Sequence, residues 1–427
     1  MPSGFVFFGQ FVDHDVTFDT TSSLTGTGIN TPGEVENFRT PCLDLDCVYG
    51  RNPEASPHLY FQGTVEEEGI FAGATVLWDL VKDLERNSQD TALIGDPRND
   101  ENAVVSQLQL SFIRFHNAVV AEVHRRERLE GPELFMRAKE IVLRHYHWIV
   151  VHDFLPRVIG RRRRNRIQLR GRVLYRPEDR KGGRPFVPVE FSVAAYRFGH
   201  TQVPGTIDFD QEHLGLGLFD PELGGAFGPR PGLIDWTRFF GSAAKKARAL
   251  DTQLASTLLE LPFIAEGDRS LAVRNLLRGQ AFGLPSGQTL REVLQQRLGR
   301  SVPLPNDILT DAEKTELQKA GYDPIDFIED TPLWFYVLAE GESLRRGRRL
   351  GPVGGHLVGE TLLGLMELDP RSYLFSAPDW SPGSPQDDFP LLPGRPSGRF
   401  RMVDLLRIAT ESNIEDDNDL GEDDDED

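Results

Sequence analysis

Six consecutive residues near the N-terminus bring together an amide, two carboxylates and an imidazole: Gln10-Phe11-Val12-Asp13-His14-Asp15. Gln10 and His14 are four residues apart, so on a helix they share one face and could both reach a reaction cavity. Asp15 would point elsewhere, where its carboxylate could bind a cation. Burying so many unlike polar groups is costly unless each has a partner. The stretch alone leaves open a polar helix face without chemistry.

The segment Ala194–His200 places a histidine directly after a glycine in apolar surroundings. Such a histidine suits axial ligation of haem iron, because the glycine leaves room for the macrocycle. A single histidine in an apolar segment is more often a buried residue with an ordinary hydrogen bond. His200 is therefore a candidate ligand that needs support from other residues.

The turn Gly95–Glu101 contains Arg98 and leads into a segment with helical spacing. Arg98 could project into a cavity as a permanent cation. It could equally pair with Asp96 or Asp100 in the same turn. The spacing alone does not decide between these interpretations.

The segment Thr40–Gly50 carries oxygen donors at alternate positions: Thr40, Asp44 and Asp46, with the Cys42 carbonyl between them. In an extended loop these groups would face one side. Hard oxygen donors without a soft ligand suit Ca²⁺ rather than zinc. Alternating aspartates also occur in ordinary surface loops, so that alternative stays open.

Taken together, the four segments resemble the animal-type haem peroxidase superfamily, also called the peroxidase–cyclooxygenase superfamily, and are most similar to its compact bacterial members. The likeness runs from Phe8 to about Pro370, with the motifs in the family's order. It implies a mainly α fold: a helical domain around a buried haem b, with few short strands. It also implies a haem peroxidase that reduces H₂O₂ through a ferryl intermediate and oxidises halides, thiocyanate or small phenolic donors.

The resemblance implies roles for three residues on the distal side of the haem. His14 is similar to the histidine that takes a proton from H₂O₂ and returns it to the leaving oxygen, which is general acid–base catalysis. Arg98 is similar to the distal arginine, whose charge stabilises developing negative charge. Gln10 is similar to the glutamine that helps to place peroxide or a halide.

On the proximal side, the resemblance implies that His200 ligates the haem iron. Asn275 is similar to the asparagine that accepts a hydrogen bond from the proximal imidazole. Arg197 and Arg278 are similar to arginines that pair with the haem propionates.

Asp13 and Glu101 match the two carboxylates that form ester bonds to the haem in mammalian members of the family. Asn102 stands where some of those members have a methionine bonded to the haem, so no sulfonium link is expected. The sequence leaves open whether the esters form, because they arise by turnover with peroxide.

The resemblance also makes the oxygen donors a calcium site. A cation there would hold the residue next to the distal histidine and so stabilise the distal helix. The implied ligands are Asp15, Thr40, the Cys42 backbone carbonyl, Asp44 and Asp46.

Two other functions remain as alternatives. A haem-dependent fatty-acid dioxygenase needs a tyrosine close to the proximal histidine, as in the Tyr-His-Trp string of cyclooxygenases. Here the string Tyr146-His147-Trp148 falls in a preceding helix, and Arg197 stands three residues before His200. Tyr196 is offset from that position by about 100° on a helix. The second alternative is a non-catalytic haem- and calcium-binding adhesive protein on the same scaffold.

Three further histidines could suggest a non-haem metal site. His145 and His152 share a helix face, but His147 does not, and no carboxylate stands at a ligand spacing. We therefore expect scattered helix histidines.

Apolar residues recur at helical spacing over much of the chain, and alternating strand patterns are scarce. Residues 20–35 and 51–70 read as loops. Residues 160–190 read as an Arg-rich connection, whose run 161–164 we interpret as a solvated loop rather than an anion or nucleic-acid site, because the rest of the chain is acidic. The predicted helices cover residues 101–126, 133–158 with a bend near Pro156, 190–204, 235–262, 268–279, 287–298, 311–319, 330–345 and 354–367.

The net charge of −19 is concentrated at the C-terminus. Residues 411–427 contain eleven acidic residues and no basic one, which leaves −8 for the rest of the chain. We predict one haem peroxidase domain over residues 1–410 and a disordered acidic tail over 411–427.

Composition limits the class of protein further. Two cysteines, Cys42 and Cys47, argue against a disulfide-stapled scaffold. No apolar run reaches about 18 residues, so no transmembrane helix is expected. The N-terminus lacks the basic and apolar regions of a signal peptide. It starts so close to the first motif that we expect a truncated N-terminus, which leaves the compartment open.

The expected partners are hydrogen peroxide and small anionic or phenolic reductants, without nucleic acid. The oligomeric state is left open.

Overall fold

A computed structural model describes residues 1–18, 37–61, 75–77, 79, 83–179, 183–223, 232–264, 267–410 and 412–416. Within them the protein is mainly α-helical with few short strands, which confirms the predicted fold class. The strands Tyr60–Phe61 (β1) and Val76–Leu77 (β2) pair antiparallel. None of the helices in the described ranges combines the length and the apolar composition that crossing a membrane requires.

The α-helices are numbered in chain order. They are α1 Gly4–Val16, α2 Asp46–Tyr49, α3 Asn52–Ala55, α4 Ala103–Glu127, α5 Gly131–Ile149, α6 Leu155–Ile159, α7 Arg161–Arg170, α8 Gly199–Gln202, α9 Leu271–Ala281, α10 Gly287–Leu298, α11 Asp311–Lys319, α12 Pro324–Glu329, α13 Leu333–Arg345, α14 Pro352–Glu367, α15 Tyr373–Ser376 and α16 Met402–Thr410.

Helix α1 runs through the centre of the core. Its phenylalanines are buried, and the ring of Phe11 stacks on Phe112 of α4 with centroids 4.5 Å apart. At its start, a Cβ on Gly4 would lie 2.4 Å from the Phe240 ring, so only glycine allows this close approach. The apolar residues therefore hold α1 between its neighbours, and its polar residues occupy the remaining positions.

Helix α4 is capped at its N-terminus and packs against three other helices. Asn102 caps the helix by accepting a hydrogen bond from the Val105 N–H at 3.0 Å. Helices α1, α5 and α16 pack against α4. The sequence predicted α4 and α5, whereas α16 was missed.

The bend predicted near Pro156 is a π-helical turn over Val150–Phe154 that joins α5 to α6. Such a turn accommodates the missing N–H of a proline. The helices predicted near 268–279, 287–298, 311–319, 330–345 and 354–367 are present as α9, α10, α11, α13 and α14.

The Arg-rich run was predicted as a solvated loop, and this prediction was wrong. Gly160, with φ of 87°, ends α6, and the run then forms α7. Arg163 and Ile167 are four residues apart and both are buried. The Arg163 guanidinium donates to the carbonyls of Ile159 and Leu350, each at 3.1 Å. One arginine of the run therefore has a structural role in the core.

Two predicted helices are different in the structure. Residues 190–204 form a π-helical turn, a 3₁₀ turn and the short α8, because Ala194 departs from helical angles (φ −130°, ψ −72°). Residues 235–262 contain only the 3₁₀ turns Trp236–Arg238 and Ser256–Leu258. Gly241, with φ of 86°, lies against the backbone of Glu415 and prevents a continuous helix there.

The loop predicted over 20–35, residues 62–70 of the second loop and most of the acidic tail lie outside the described residues. Within the tail, Ile414 is buried and Asp416 pairs with Arg407 at 3.1 Å. The packed body of the fold therefore includes residues 412–416.

Candidate active site

One cavity of about 310 Å³ receives polar side chains from several distant parts of the chain. Helix α1 contributes Gln10, Asp13 and His14, which share one side of the helix because of their spacing. The broken segment around α8 contributes Arg197 and His200. Other lining residues are Phe5, Val6, Phe7, Glu101, Asn102, Phe154, Tyr196, Phe198 and Leu258.

His14 is almost fully buried and is held by the turn before α4. Its Nδ1 lies 2.7 Å from Oδ1 of Asn99. Burial, followed by the charge of Arg98, lowers the pKa of His14 from 6.5 to about 3. The imidazole is therefore neutral at neutral pH and can accept a proton.

His200 is half-buried, and its imidazole is also neutral at neutral pH. Burial, followed by the charge of Arg197, lowers its pKa to about 3. Asn275 of α9 lies against it, with Nδ2 3.0 Å from Nδ1 of His200. Asn275 had been expected to accept a hydrogen bond from this imidazole, but its Oδ1 instead accepts from Arg197 Nη1 at 3.1 Å. Because an arginine can only donate, it orients the amide opposite to the predicted direction.

Arg98 both pairs with Asp96 and lines a cavity, which are the two arrangements that the sequence left open. Its Nε and Nη2 donate to the two oxygens of Asp96 at 3.1 and 2.7 Å. Nη2 also donates to the carbonyls of His14 and Thr17. The guanidinium at the same time lines a second cavity of about 260 Å³. Arg98 is thus tied to the end of α1, while His14 faces the first cavity.

The second cavity is rich in arginine. Arg98, Arg197 and Arg278 line it together with Phe18, Ser192 and Phe282. Asp13 and Arg197 line both cavities, so the two adjoin. Arg98 and Arg278 line only the second cavity, whereas Arg197 lines both and Arg274 lines the first.

Three further groups stand at the first cavity. Burial raises the pKa of Asp13, and burial raises the pKa of Glu101 to about 7 although Arg98 opposes both shifts. Asn102 donates from Nδ2 to Oε1 of Gln10 at 3.4 Å. The cavity therefore holds two carboxyl groups whose pKa is raised by burial, and a glutamine that is oriented by its neighbour.

A carboxylate cluster lies behind the first cavity, on the opposite side of α1. One oxygen from each of Asp15, Asp44 and Asp46 lies within 4.8 Å of the others. Burial, followed by the charges of the other two aspartates, raises the pKa of Asp15 well above its usual value. Oδ1 of Asp44 is buried without a hydrogen-bond partner among the described residues. This arrangement favours a cation.

The chain reaches this cluster through a tight turn, whereas the sequence predicted an extended loop. Leu45 has a left-handed backbone (φ 54°), and α2 begins at Asp46. Thr40 Oγ1 donates to Asp44 at 2.9 Å. The thiol of Cys42 lies beside Arg371, which also pairs with Asp44 at 3.1 Å.

The string Tyr146-His147-Trp148 supports this cluster rather than the cavity. The Tyr146 hydroxyl donates to Asp15 at 3.1 Å, and His147 Nε2 lies 2.6 Å from the Leu43 carbonyl. His145 and His152 have separate partners, the Ile141 carbonyl and the Tyr373 hydroxyl. The three histidines are therefore scattered, and none lines either cavity.

Sequence reasoning named Asp96 only as a possible partner of Arg98, and it missed three other residues that hold the site together: Arg39, Asn99 and Gln109. Each is a buried or mostly buried polar group. Gln109 could have been recognised from the sequence, because it interrupts the buried face of a long apolar helix. A polar residue at such a position implies a buried partner.

The family model described as animal haem peroxidase matches residues 20–369. A peroxidase-like protein of Margaritifera margaritifera is 35% identical over 249 residues, which is 47% of this chain and 31% of that protein. Thyroid peroxidase of Canis lupus familiaris is 26% identical over 395 residues, which is 82% of this chain and 40% of that protein. The chain thus spans well under half the length of these curated relatives.

Solved structures share the fold at low identity. Peroxidase A from Dictyostelium discoideum has a TM-score of 0.56 at 17% identity, covering 87% of this chain and 79% of that one. A fatty acid alpha-dioxygenase from Oryza sativa has a TM-score of 0.57 at 19% identity, covering 86% and 69%. At these identities the likeness concerns the fold alone.

Proposed function

Because this chain belongs to the animal haem peroxidase family, we propose that it reduces hydrogen peroxide and oxidises halides, thiocyanate or small phenols. One observation carries the proposal. Two neutral imidazoles, His14 and His200, come from distant parts of the chain and line the same cavity.

The residues present fit a haem. The first cavity offers apolar walls for a macrocycle, and the adjoining one offers Arg197 and Arg278 for its carboxylates. Asp13 and Glu101 both line the first cavity and would be the carboxylates for ester links to the group. When bound, haem supplies redox-active iron.

On the proximal side, His200 would hold the iron through Nε2. This role needs the proton on Nδ1, and therefore an acceptor facing Nδ1. Asn275 becomes that acceptor once its amide turns over. A propionate that accepts from Arg197 would free Asn275 to do so.

On the distal side, His14 acts on peroxide. Its neutral imidazole accepts a proton from one peroxide oxygen and returns it to the oxygen that leaves as water. The low pKa of His14 makes the protonated form a ready donor in the second step. Gln10 orients peroxide or a halide in the same cavity, and the charge of Arg98 favours anionic species.

Asp15, Asp44 and Asp46 are the core of a calcium site in this proposal. Thr40 and the Cys42 carbonyl complete the ligand set implied by the family. The raised pKa values of Asp15 and Asp46, the latter to about 6, show that burial and mutual repulsion disfavour three free carboxylates. A hard divalent cation removes that repulsion.

Sequential-mixing stopped-flow absorbance tests the proposed activity. The haem-loaded chain is mixed with H₂O₂ and then with bromide, iodide, thiocyanate or phenol. We expect the haem spectrum to change in the first mix and to return in the second with at least one donor. A normal haem spectrum that does not respond to peroxide would contradict the proposal and favour a non-catalytic binding protein.

A fatty-acid dioxygenase is the second candidate, and Tyr196 favours it. Its side chain lines the first cavity, stacks on Phe191 at 4.5 Å, and has a buried hydroxyl without a hydrogen-bond partner in the described chain. Oxygen uptake with a fatty acid that disappears in Tyr196→Phe would support this candidate. Phe191→Leu is the matched control, since it changes the stacking partner and keeps the phenol.

A further inference from the structure

A network of buried amide side chains joins His14 to the backbone of α2, the helix that begins at Asp46 of the carboxylate cluster. His14 Nδ1 lies 2.7 Å from Asn99 Oδ1. Asn99 Nδ2 donates to Gln109 Oε1 at 2.8 Å, and Gln109 Nε2 donates to the Cys47 carbonyl at 3.2 Å. Asn99, Gln109 and Cys47 are fully buried, so water does not compete for these groups.

The far end of this network has a fixed polarity. A backbone carbonyl can only accept, so Gln109 must turn its NH₂ group to Cys47. Its Oε1 then faces Asn99, which must present its own NH₂ group. Asn99 Oδ1 consequently faces His14, and Nδ1 of the imidazole must carry the proton. Each orientation follows from the one before it, independently of how the amides were assigned.

The opposite tautomer of His14 would reverse the direction of every hydrogen bond between His14 and the Cys47 carbonyl. Gln109 Oε1 would then face the Cys47 carbonyl, and two acceptors would meet in a fully buried site. An unsatisfied buried polar group is expensive, so this arrangement is disfavoured.

We propose that Gln109 is a positioning residue that sets the tautomer of His14, and so keeps the Nε2 lone pair available to the cavity. Gln109 lines neither cavity and acts only through Asn99. The consequence for catalysis rests on the proposed function, because the Nε2 lone pair is what would take the proton of H₂O₂. The tautomer itself does not depend on any activity.

The position of the anchoring carbonyl is set by close packing. A Cβ on Gly95 would lie 2.7 Å from the Cys47 carbonyl oxygen and 2.4 Å from that of Asp46. The turn that bears Arg98 therefore lies directly against the loop that orients His14. The carboxylate cluster and the proton-accepting histidine share this one piece of backbone.

Neutron diffraction of the full haem-loaded chain in D₂O tests the proposal directly. We expect deuterium on Nδ1 of His14 and none on Nε2, with the ND₂ groups of Asn99 and Gln109 oriented toward Gln109 and Cys47. Deuterium on Nε2 alone, or amides in the reverse orientation, would overturn it. This result is independent of peroxide turnover, so it separates failure of the inference from failure of the proposed function.

Three variants test the consequence for catalysis. Gln109→Met keeps length but cannot orient Asn99, so the rate of reaction with H₂O₂ should fall on the order of 10-fold, the worth of one lost directional hydrogen bond. Gln109→His should restore most of the rate, because an imidazole also offers one donor to Cys47 and one acceptor to Asn99. Gln107→Met is the control, because Gln107 is a buried glutamine on the same helix that takes no part in the hydrogen bonds between His14 and Cys47. Equal rates for Gln109→Met and Gln109→His, or an equal loss in the control, would show a merely structural role.

Discussion

Asp96 and Arg98 form a two-point ion pair inside the turn that leads into α4. The distances are 3.1 Å from Nε to Oδ1 and 2.7 Å from Nη2 to Oδ2. The fully buried Asp96 also pairs with Arg39, which in turn pairs with Asp46 at 3.0 Å. A line of alternating charges therefore connects the carboxylate cluster to the arginine at the cavity.

We predict that Asp96→Asn strongly destabilises the protein. The change leaves two arginines without their shared carboxylate, and removing one partner of a buried ion pair costs about 3–5 kcal/mol. Because Arg98 is a quarter exposed, we expect the lower end of that range. Urea unfolding measures this loss of unfolding free energy. Asp90→Asn is the control, since Asp90 is 72% exposed near Arg86 and should change stability by about 0.5 kcal/mol or less.

The same carboxyl predicts a pH dependence. Burial opposes ionisation of Asp96, but the hydrogen bond and charge of Arg98, with Arg39, lower its pKa from 3.8 to about 2. A lowered folded-state pKa means that the stabilisation is complete above about pH 4 and is lost as the pH falls through about 2. The stability difference between the unaltered protein and Asp96→Asn should shrink by about 2 kcal/mol over that window. A difference that is constant with pH would contradict the assigned pairing.

His14→Gln should keep the haem and lose reactivity with peroxide. Glutamine cannot accept and return a proton, and loss of an acid–base group typically slows a reaction about 10²–10⁴-fold. Stopped-flow absorbance at increasing H₂O₂ gives the rate constant. His58→Gln, at an exposed histidine, should leave that constant unchanged. An unaltered rate in His14→Gln would remove His14 from the mechanism.

His200→Ala should lose stable haem binding. The imidazole is the proposed iron ligand, and the remaining arginine contacts reach only the carboxylates. Iron content and visible absorbance after gel filtration measure retention. His213→Ala is the control, because His213 pairs with Asp210 at 2.9 Å and does not line the cavities. Full retention in His200→Ala would assign the iron to another ligand.

Asp15→Asn should abolish stabilisation by calcium. At a free Ca²⁺ concentration 100 times the dissociation constant, binding to the folded state alone adds about 2.7 kcal/mol. Thermal unfolding with Ca²⁺ or with a chelator measures the effect. Asp311→Asn, at a side chain that is 99% exposed, should retain the response. Equal stabilisation of the Asp15 variant would exclude the cluster as the calcium site.

Local spacing accounts for much of what could be predicted. The separation of Gln10 and His14 by four residues was enough to place them on one helix face, and Asp15 on another. The long apolar repeats before and after residue 130 were enough to predict α4 and α5. These features depend on helical geometry, which is the same in every protein.

Residue spacing gave wrong predictions where local structure depends on a contact with a residue far away in the sequence. The run after Gly160 forms a helix whose Arg163 donates to the Leu350 carbonyl, 187 residues away. The helix expected after Asp235 did not form, because Gly241 packs on Glu415. Local pattern carries no information about such partners.

The sequence by itself determined the family, the mainly helical fold and the residue types available for chemistry. Only the tertiary structure decided how each one is oriented: Arg98 by Asp96, Asn275 by Arg197, and His14 by an amide chain that ends on the Cys47 carbonyl. The reason is physical. Donor and acceptor directions at a buried site are set by the nearest groups that can only donate or only accept, and packing brings those groups from distant parts of the chain.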